Sequence, residues 1–157
     1  MTRHAVATAG LTAAVSALLW APAATARMPD EPSRSAVSAR ATVKVAESRF
    51  GRMLVDGRGL SLYLFTREQD RKSRCYGDCA RAWPPLLTTG EPRAGRGARE
   101  RRLGTTRRRS GKRQVTYRGH PLYFYVDETS AGQVLCQDVF EFGGTWLVVS
   151  PSGRAIR

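Results

Sequence analysis

The chain reads as an all-β domain, on three observations. Nearly the same aromatic phrase occurs twice, LYLF at Leu62–Phe65 and LYFY at Leu122–Tyr125. Slid by sixty residues, Gly51–Glu68 lies over Gly111–Glu128 with identities at Gly51/Gly111, Val55/Val115, Arg58/Arg118, Gly59/Gly119, Leu62/Leu122, Tyr63/Tyr123 and Glu68/Glu128. Past the N-terminal apolar stretch, no window carries an apolar period of 3.6 residues. Self-similarity at a fixed period indicates duplication of a supersecondary unit. Two related four-stranded units, about residues 43–90 and 103–152, are therefore expected to form a pseudo-twofold sandwich or small barrel.

The elements follow in order. Val43–Val45 and Leu103–Thr105 open the two units, and Met53–Asp56 and Gln114–Tyr117 come next. Arg58-Gly59 and Arg118-Gly119 supply the turn, since glycine takes a positive φ at no steric cost. Ser61–Thr66 and Pro121–Val126 are rich in leucine, aromatic and β-branched residues, as strands are. Trp83–Leu87 and Thr145–Ser150 close each unit, with Trp83 matching Trp146 after a three-residue slip. Side chains alternate along a strand, so Tyr63 and Phe65 share one face and Leu62 and Leu64 the other. Apolar residues on both faces mean a strand covered on both sides. Tyr63, Phe65, Tyr123, Tyr125, Trp83 and Trp146 are thus expected in the core, each able to bury ~150–250 Å². A stacking platform for a sugar or flat ligand is the functional alternative.

Ahead of the domain, Thr2-Arg3-His4 is a short basic start. An alanine-rich apolar stretch follows from Ala5 to Ala21, then the small-x-small pattern Ala24-Thr25-Ala26. Together they read as a cleaved signal peptide over residues 1–26. Residues 27–41 are rich in Pro, Ser, Ala and charge and read as a flexible linker, which leaves 42–157 for the domain. The expected location is secreted or periplasmic, with no transmembrane span in the mature form. The formal net charge is +13, of which Arg3 alone leaves with the leader. Most of the excess lies between Arg93 and Arg113. A basic face made of Arg99, Arg101, Arg102, Arg107, Arg108, Arg109, Lys112 and Arg113 suits anionic envelope polymers or an envelope protein. Export argues against nucleic acid as the partner. A solvated loop with no partner is the plainer reading of the same run.

Five phrases in order, LVDGRGLSLYLFT, CYGDCARAWPPL, LGTTRR, QVTYRGHPLYFY and FGGTWLVVSPSG, resemble the bacterial secreted-repeat family described as predicted lipoproteins with a Yx(FWY)xxD motif. The motif falls on Tyr63, Phe65 and Glu68 in the first copy and on Tyr123, Tyr125 and Glu128 in the second, with glutamate where the pattern has aspartate. No cysteine follows the apolar leader, so the usual bacterial lipid attachment is not expected. The resemblance implies an envelope or extracellular location and no established activity.

Cys75, Cys79 and Cys136 remain after processing, an odd number for an oxidising compartment. Loop entropy gives roughly 2 kcal/mol for a Cys75–Cys79 bridge and about 4 kcal/mol for one crossing to Cys136. Geometry decides between them. Local spacing together with the family phrase favours Cys75–Cys79. The alternative function is a thiol-based copper or redox protein using Cys75-x-x-x-Cys79, with Cys136 or Met53 as a third soft ligand. Catalysis is not expected. His120 is the only histidine past the leader, which leaves little room for a Ser-His-Asp arrangement. Glu68 and Glu128 could form a glycosidase-like carboxylate pair, but their symmetry points to a repeated structural role. No cofactor is expected outside the copper alternative. The favoured reading is a non-catalytic binding or structural module of the envelope.

Overall fold

The computed structural model describes Arg40–Arg157, so the predicted signal peptide and all but the end of the predicted linker lie outside the described residues. Ten strands form: β1 (Thr42–Ala46), β2 (Met53–Asp56), β3 (Tyr63–Phe65), β4 (Leu87–Thr88), β5 (Arg93–Ala94), β6 (Leu103–Arg107), β7 (Arg113–Tyr117), β8 (His120–Pro121), β9 (Val139–Glu141) and β10 (Gly144–Val148). They divide among three small sheets, β2-β1-β5, β3-β10-β9 and β4-β7-β6 with β8 beside β7. Among the described residues no barrel closes, so of the two arrangements expected the barrel is set aside. One short helix, α1 (Asp78–Ala82), and a 3₁₀ turn at Glu100–Arg102 complete the described elements. The helix was not expected. Its five residues are too few to show a period.

The duplication is visible in the hydrogen bonding. In the first copy Leu62 N donates to Leu54 O (3.1 Å), Val149 N to Leu62 O (3.3 Å) and Leu54 N to Val149 O (2.7 Å). In the second copy Leu122 N donates to Val115 O (3.0 Å), Leu86 N to Leu122 O (2.9 Å) and Val115 N to Leu86 O (2.8 Å). Each tyrosine segment, a strand (β3) in the first copy and an extended stretch with isolated bridges at Tyr123 in the second, is therefore flanked by its own second strand and by the closing segment of the other copy. The copies have exchanged those closing strands. The exchange meets at Tyr63 and Tyr123, whose backbones bond each other in both directions at 2.9 and 3.0 Å. The local pseudo-twofold axis passes between these two residues.

The sixty-residue register needs one correction. Val45 lies opposite Leu54, and Thr105 opposite Val115. Leu54, not Val55, is thus the counterpart of Val115, and Met53 is the counterpart of Gln114. The cause is a difference in turn length. Asp56 N bonds Leu60 O at 2.9 Å around a three-residue loop, and the Asp56 carboxylate also accepts from Arg58 N and Leu60 N, both at 2.9 Å. In the second copy Tyr117 pairs directly with His120. Arg118 (φ 51°) and Gly119 (φ 85°) fill the two positive-φ positions that a tight hairpin of this kind demands.

The tyrosine strands separate two cores, as strand alternation requires. Leu62, Leu64, Leu122 and Phe124 pack with Leu54, Leu86, Val115, Leu147 and Val149. Tyr63, Phe65 and Tyr123 pack with Met53, Val55, Trp83, Trp146, Val148 and the Cys75 and Cys79 side chains. In this second cluster the rings form a column that alternates between copies. Phe65 stacks on Trp146 (4.2 Å, 4°), Trp146 on Trp83 (4.1 Å, 2°), and Trp83 leans on Tyr125 (5.0 Å, 46°). Tyr63 meets Trp83 edge-on at 5.2 Å, and Tyr123 meets Trp146 in the same way at the same distance. Gly144 makes the column possible. A Cβ there would lie 2.6 Å from the Phe65 ring and 2.8 Å from Arg67 Cγ.

Candidate functional site

Glu68 and Glu128 end the turns that follow the tyrosine strands. Glu68 N donates to Phe65 O (3.0 Å) and Glu128 N to Tyr125 O (3.2 Å). Both side chains then turn inward and are buried. Each takes its phenol from the other copy: Tyr123 OH donates to Glu68 Oε1 at 2.5 Å, and Tyr63 OH donates to Glu128 Oε1. Backbone amides finish the job symmetrically, Arg74 N to Glu68 Oε1 and Leu135 N to Glu128 Oε1, both at 2.7 Å. The two acids are thus ties between the copies. They belong to different pairs.

Burial raises the Glu68 carboxyl to about 7, against the lowering effect of Arg74 N and the Tyr123 hydroxyl. Burial likewise raises both phenols, with their glutamate partners adding to it. Glu68 Oε2 is buried without a hydrogen-bond partner among the described residues, which is what makes the charged form expensive there. Beside this pair the second copy builds a polar chain in place of Met53. Gln114 accepts from Ser73 Oγ (2.5 Å) and from Arg108 Nη1 (2.6 Å) and donates to Leu122 O (2.9 Å). Arg108 also donates to Cys75 O at 2.6 Å. It is therefore buried, 8% exposed, and departs from the exposed face that its place in the basic run suggests.

The rest of that run is folded, not a free loop: it forms β5, the 3₁₀ turn, β6 and the start of β7. Arg99, Arg101, Arg107, Arg109 and Lys112 are exposed. Arg113 pairs with Glu91, and Arg102 donates to Pro151 O. A concentration of positive charge forms where the end of the run meets a second basic stretch. Arg107, Arg108 and Arg109 meet Arg67, Lys72 and Arg74 from the first copy around a groove of about 690 Å³, with Asp70 the lone carboxylate in its lining. Tyr76 forms its floor, with the Arg108 and Arg109 guanidinium carbons 4.5 and 4.4 Å from the ring centre. Both lie within the range of cation–π attraction. Arg74 bonds Asp70 at 2.9 Å. Sequence reasoning missed Arg67, Lys72 and Arg74. The signal available was the charged stretch Arg67–Arg74 directly after the first tyrosine motif, which the fold lays against the β6–β7 hairpin.

Cys75 and Cys79 form a disulfide, Cα–Cα 5.2 Å. Both are buried. Joined to each other, they offer no thiolate to a metal. Among the described residues no group of three or more His, Cys, Asp or Glu is placed to hold a metal ion. Cys136 is a half-buried free thiol. Burial raises its pKa, and the Tyr125 hydroxyl bonded to it pulls the other way. His120 sits in the β7–β8 hairpin, where burial and then Arg118 hold it below the ordinary histidine value.

Among the described residues no helix is long and apolar enough to cross a membrane. No curated protein and no solved structure matches the chain significantly. One family does match, over residues 44–87 and 104–150, so that each hit covers one of the two copies and together they span more than half the chain. The chain belongs to the family described as "Secreted repeat of unknown function".

Proposed function

We propose that this secreted-repeat protein is a non-catalytic binding module for polyanionic components of the cell envelope, exported by its N-terminal leader. The observation that carries the reading is the arginine-lined groove around Tyr76. Six cations face one carboxylate there. Guanidinium groups are suited to phosphate because they offer paired donors in a planar fork. Arg108 is buried and spends both terminal nitrogens on Gln114 and Cys75 O, so it adds fixed positive charge behind the groove while the exposed cations meet the ligand. A positive concave surface also raises the local concentration of anions and their association rate.

Titration of the mature protein with inorganic polyphosphate tests this directly. Binding is expected to weaken steeply as salt rises from low to physiological strength, because exposed charges are screened within about 8–10 Å. Arg107→Glu with Arg109→Glu is expected to weaken it more than tenfold at low salt while leaving the melting temperature near the wild-type value. Salt-independent binding, or binding untouched by that double substitution, sinks the reading.

A further inference from the structure

The β9–β10 hairpin is built from Glu141, Phe142, Gly143 and Gly144, with Glu141 paired to Gly144. Phe142 (φ 54°) and Gly143 (φ 78°) occupy the two positive-φ positions. Asparagine or aspartate before glycine is the usual choice there, and a bulky side chain at positive φ is an outlier. Phe142 is nevertheless 40% exposed, and Phe140 before it is 72% exposed. A strained backbone position that carries a phenylalanine left 40% exposed recovers only part of its cost through packing. Strain kept for a partly exposed ring is a pointer to function.

The hairpin adjoins the basic groove. Arg67 lines that groove and donates from Nη1 to Phe142 O at 2.8 Å. Thr145, paired with Phe140 across the hairpin, donates its N–H to Thr66 Oγ1 at 2.8 Å. The hairpin therefore carries two exposed phenylalanines, and Arg67 links it to the basic groove. Aromatic side chains entering the acyl boundary while basic groups hold anionic headgroups is the pattern of interfacial membrane binding. Resting on the groove reading above, we propose that the β9–β10 hairpin inserts Phe140 and Phe142 into the surface of an anionic lipid bilayer whose headgroups the adjoining arginines hold.

The test compares three probes with the mature protein: vesicles of phosphatidylcholine, the same vesicles doped with phosphatidylglycerol, and soluble polyphosphate. Phe140→Ala with Phe142→Ala is expected to weaken binding to the doped vesicles about tenfold and to change polyphosphate binding less than twofold, with the melting temperature held. In a separate variant, the Phe140→Trp substitution is expected to shift tryptophan emission to the blue only on doped vesicles. Doped-vesicle binding unchanged by the double alanine substitution overturns the inference but leaves the groove reading standing. So does equal binding to undoped vesicles, or a phenylalanine-dependent dimer in sedimentation with no vesicle binding. Loss of polyphosphate binding in the Phe variant also overturns it, since the rings would then serve the groove itself. Vesicle and polyphosphate binding both indifferent to Arg107→Glu/Arg109→Glu overturns the groove reading and the inference with it.

Discussion

Trp146→Ala is expected to destabilise the domain by about 3–5 kcal/mol, the range for truncating a large buried aromatic side chain. Trp146 is fully buried and lies between Phe65 and Trp83 in the ring column, with Tyr123 edge-on. Its removal takes away ring contacts to both copies together and leaves a cavity between Phe65 and Trp83. Small domains hold only about 5–15 kcal/mol in reserve, so the variant should approach the edge of folding. Urea titration checks this through a lower midpoint with an unchanged slope. Trp146→Phe is expected to cost far less. It keeps the stack, and the indole Nε1 it removes has no hydrogen-bond partner among the described residues. Trp83→Phe should cost more than Trp146→Phe, because Trp83 Nε1 donates to Glu141 Oε2 at 2.9 Å. Arg101→Ala, an exposed change, should stay within about 0.5 kcal/mol.

Stability is expected to fall as pH rises from about 4.5 to 7 through the Glu68 carboxyl. Burial raises this group to about 7 in the fold, from an ordinary value of 4.5. Below 4.5 the folded and unfolded chains both carry the proton and the site costs nothing. Between the two values only the folded chain holds it, so each step up in pH favours unfolding. Above 7 both forms are ionised and the full penalty stands, on the order of 3 kcal/mol from the size of that difference. Glu68→Gln, which does not titrate, should flatten this part of the profile. Urea midpoints at half-unit steps of pH from 4 to 8 measure it. A Glu68→Gln profile that falls across that window as steeply as the wild type would contradict the burial of a costly carboxylate at Glu68.

What the sequence made legible was local. The doubled aromatic phrase, its alternation and the Arg-Gly turns follow from short-range rules, and they place the tyrosine strands between two cores. The exchange of closing strands was not legible, because Trp83–Leu87 reads the same whichever copy it joins. For the same reason Glu68 and Glu128 show as repeated acids without showing that each bonds the other copy's tyrosine. The one-residue slip at Val55 was hidden by an identity with Val115 that the shorter second turn makes coincidental. Arg108 could not be told from its exposed neighbours Arg107 and Arg109 by composition. Its burial depends on Gln114, the polar residue that the second copy holds where the first has Met53. The groove escaped for a related reason. Its cations come from two stretches, Arg67–Arg74 and Arg107–Arg109, that only the fold brings together.

The account rests on the tyrosine–glutamate pairs crossing between the copies, and a set of double-mutant cycles at pH 8 measures that crossing. Tyr63→Phe with Glu128→Gln, and Tyr123→Phe with Glu68→Gln, should each show a coupling of about 1–3 kcal/mol. The pairs drawn from one copy, Tyr63→Phe with Glu68→Gln and Tyr123→Phe with Glu128→Gln, should couple by less than about 0.5 kcal/mol. Stronger coupling within each copy than between them would mean that the repeats fold as separate units, and the exchanged architecture would be wrong.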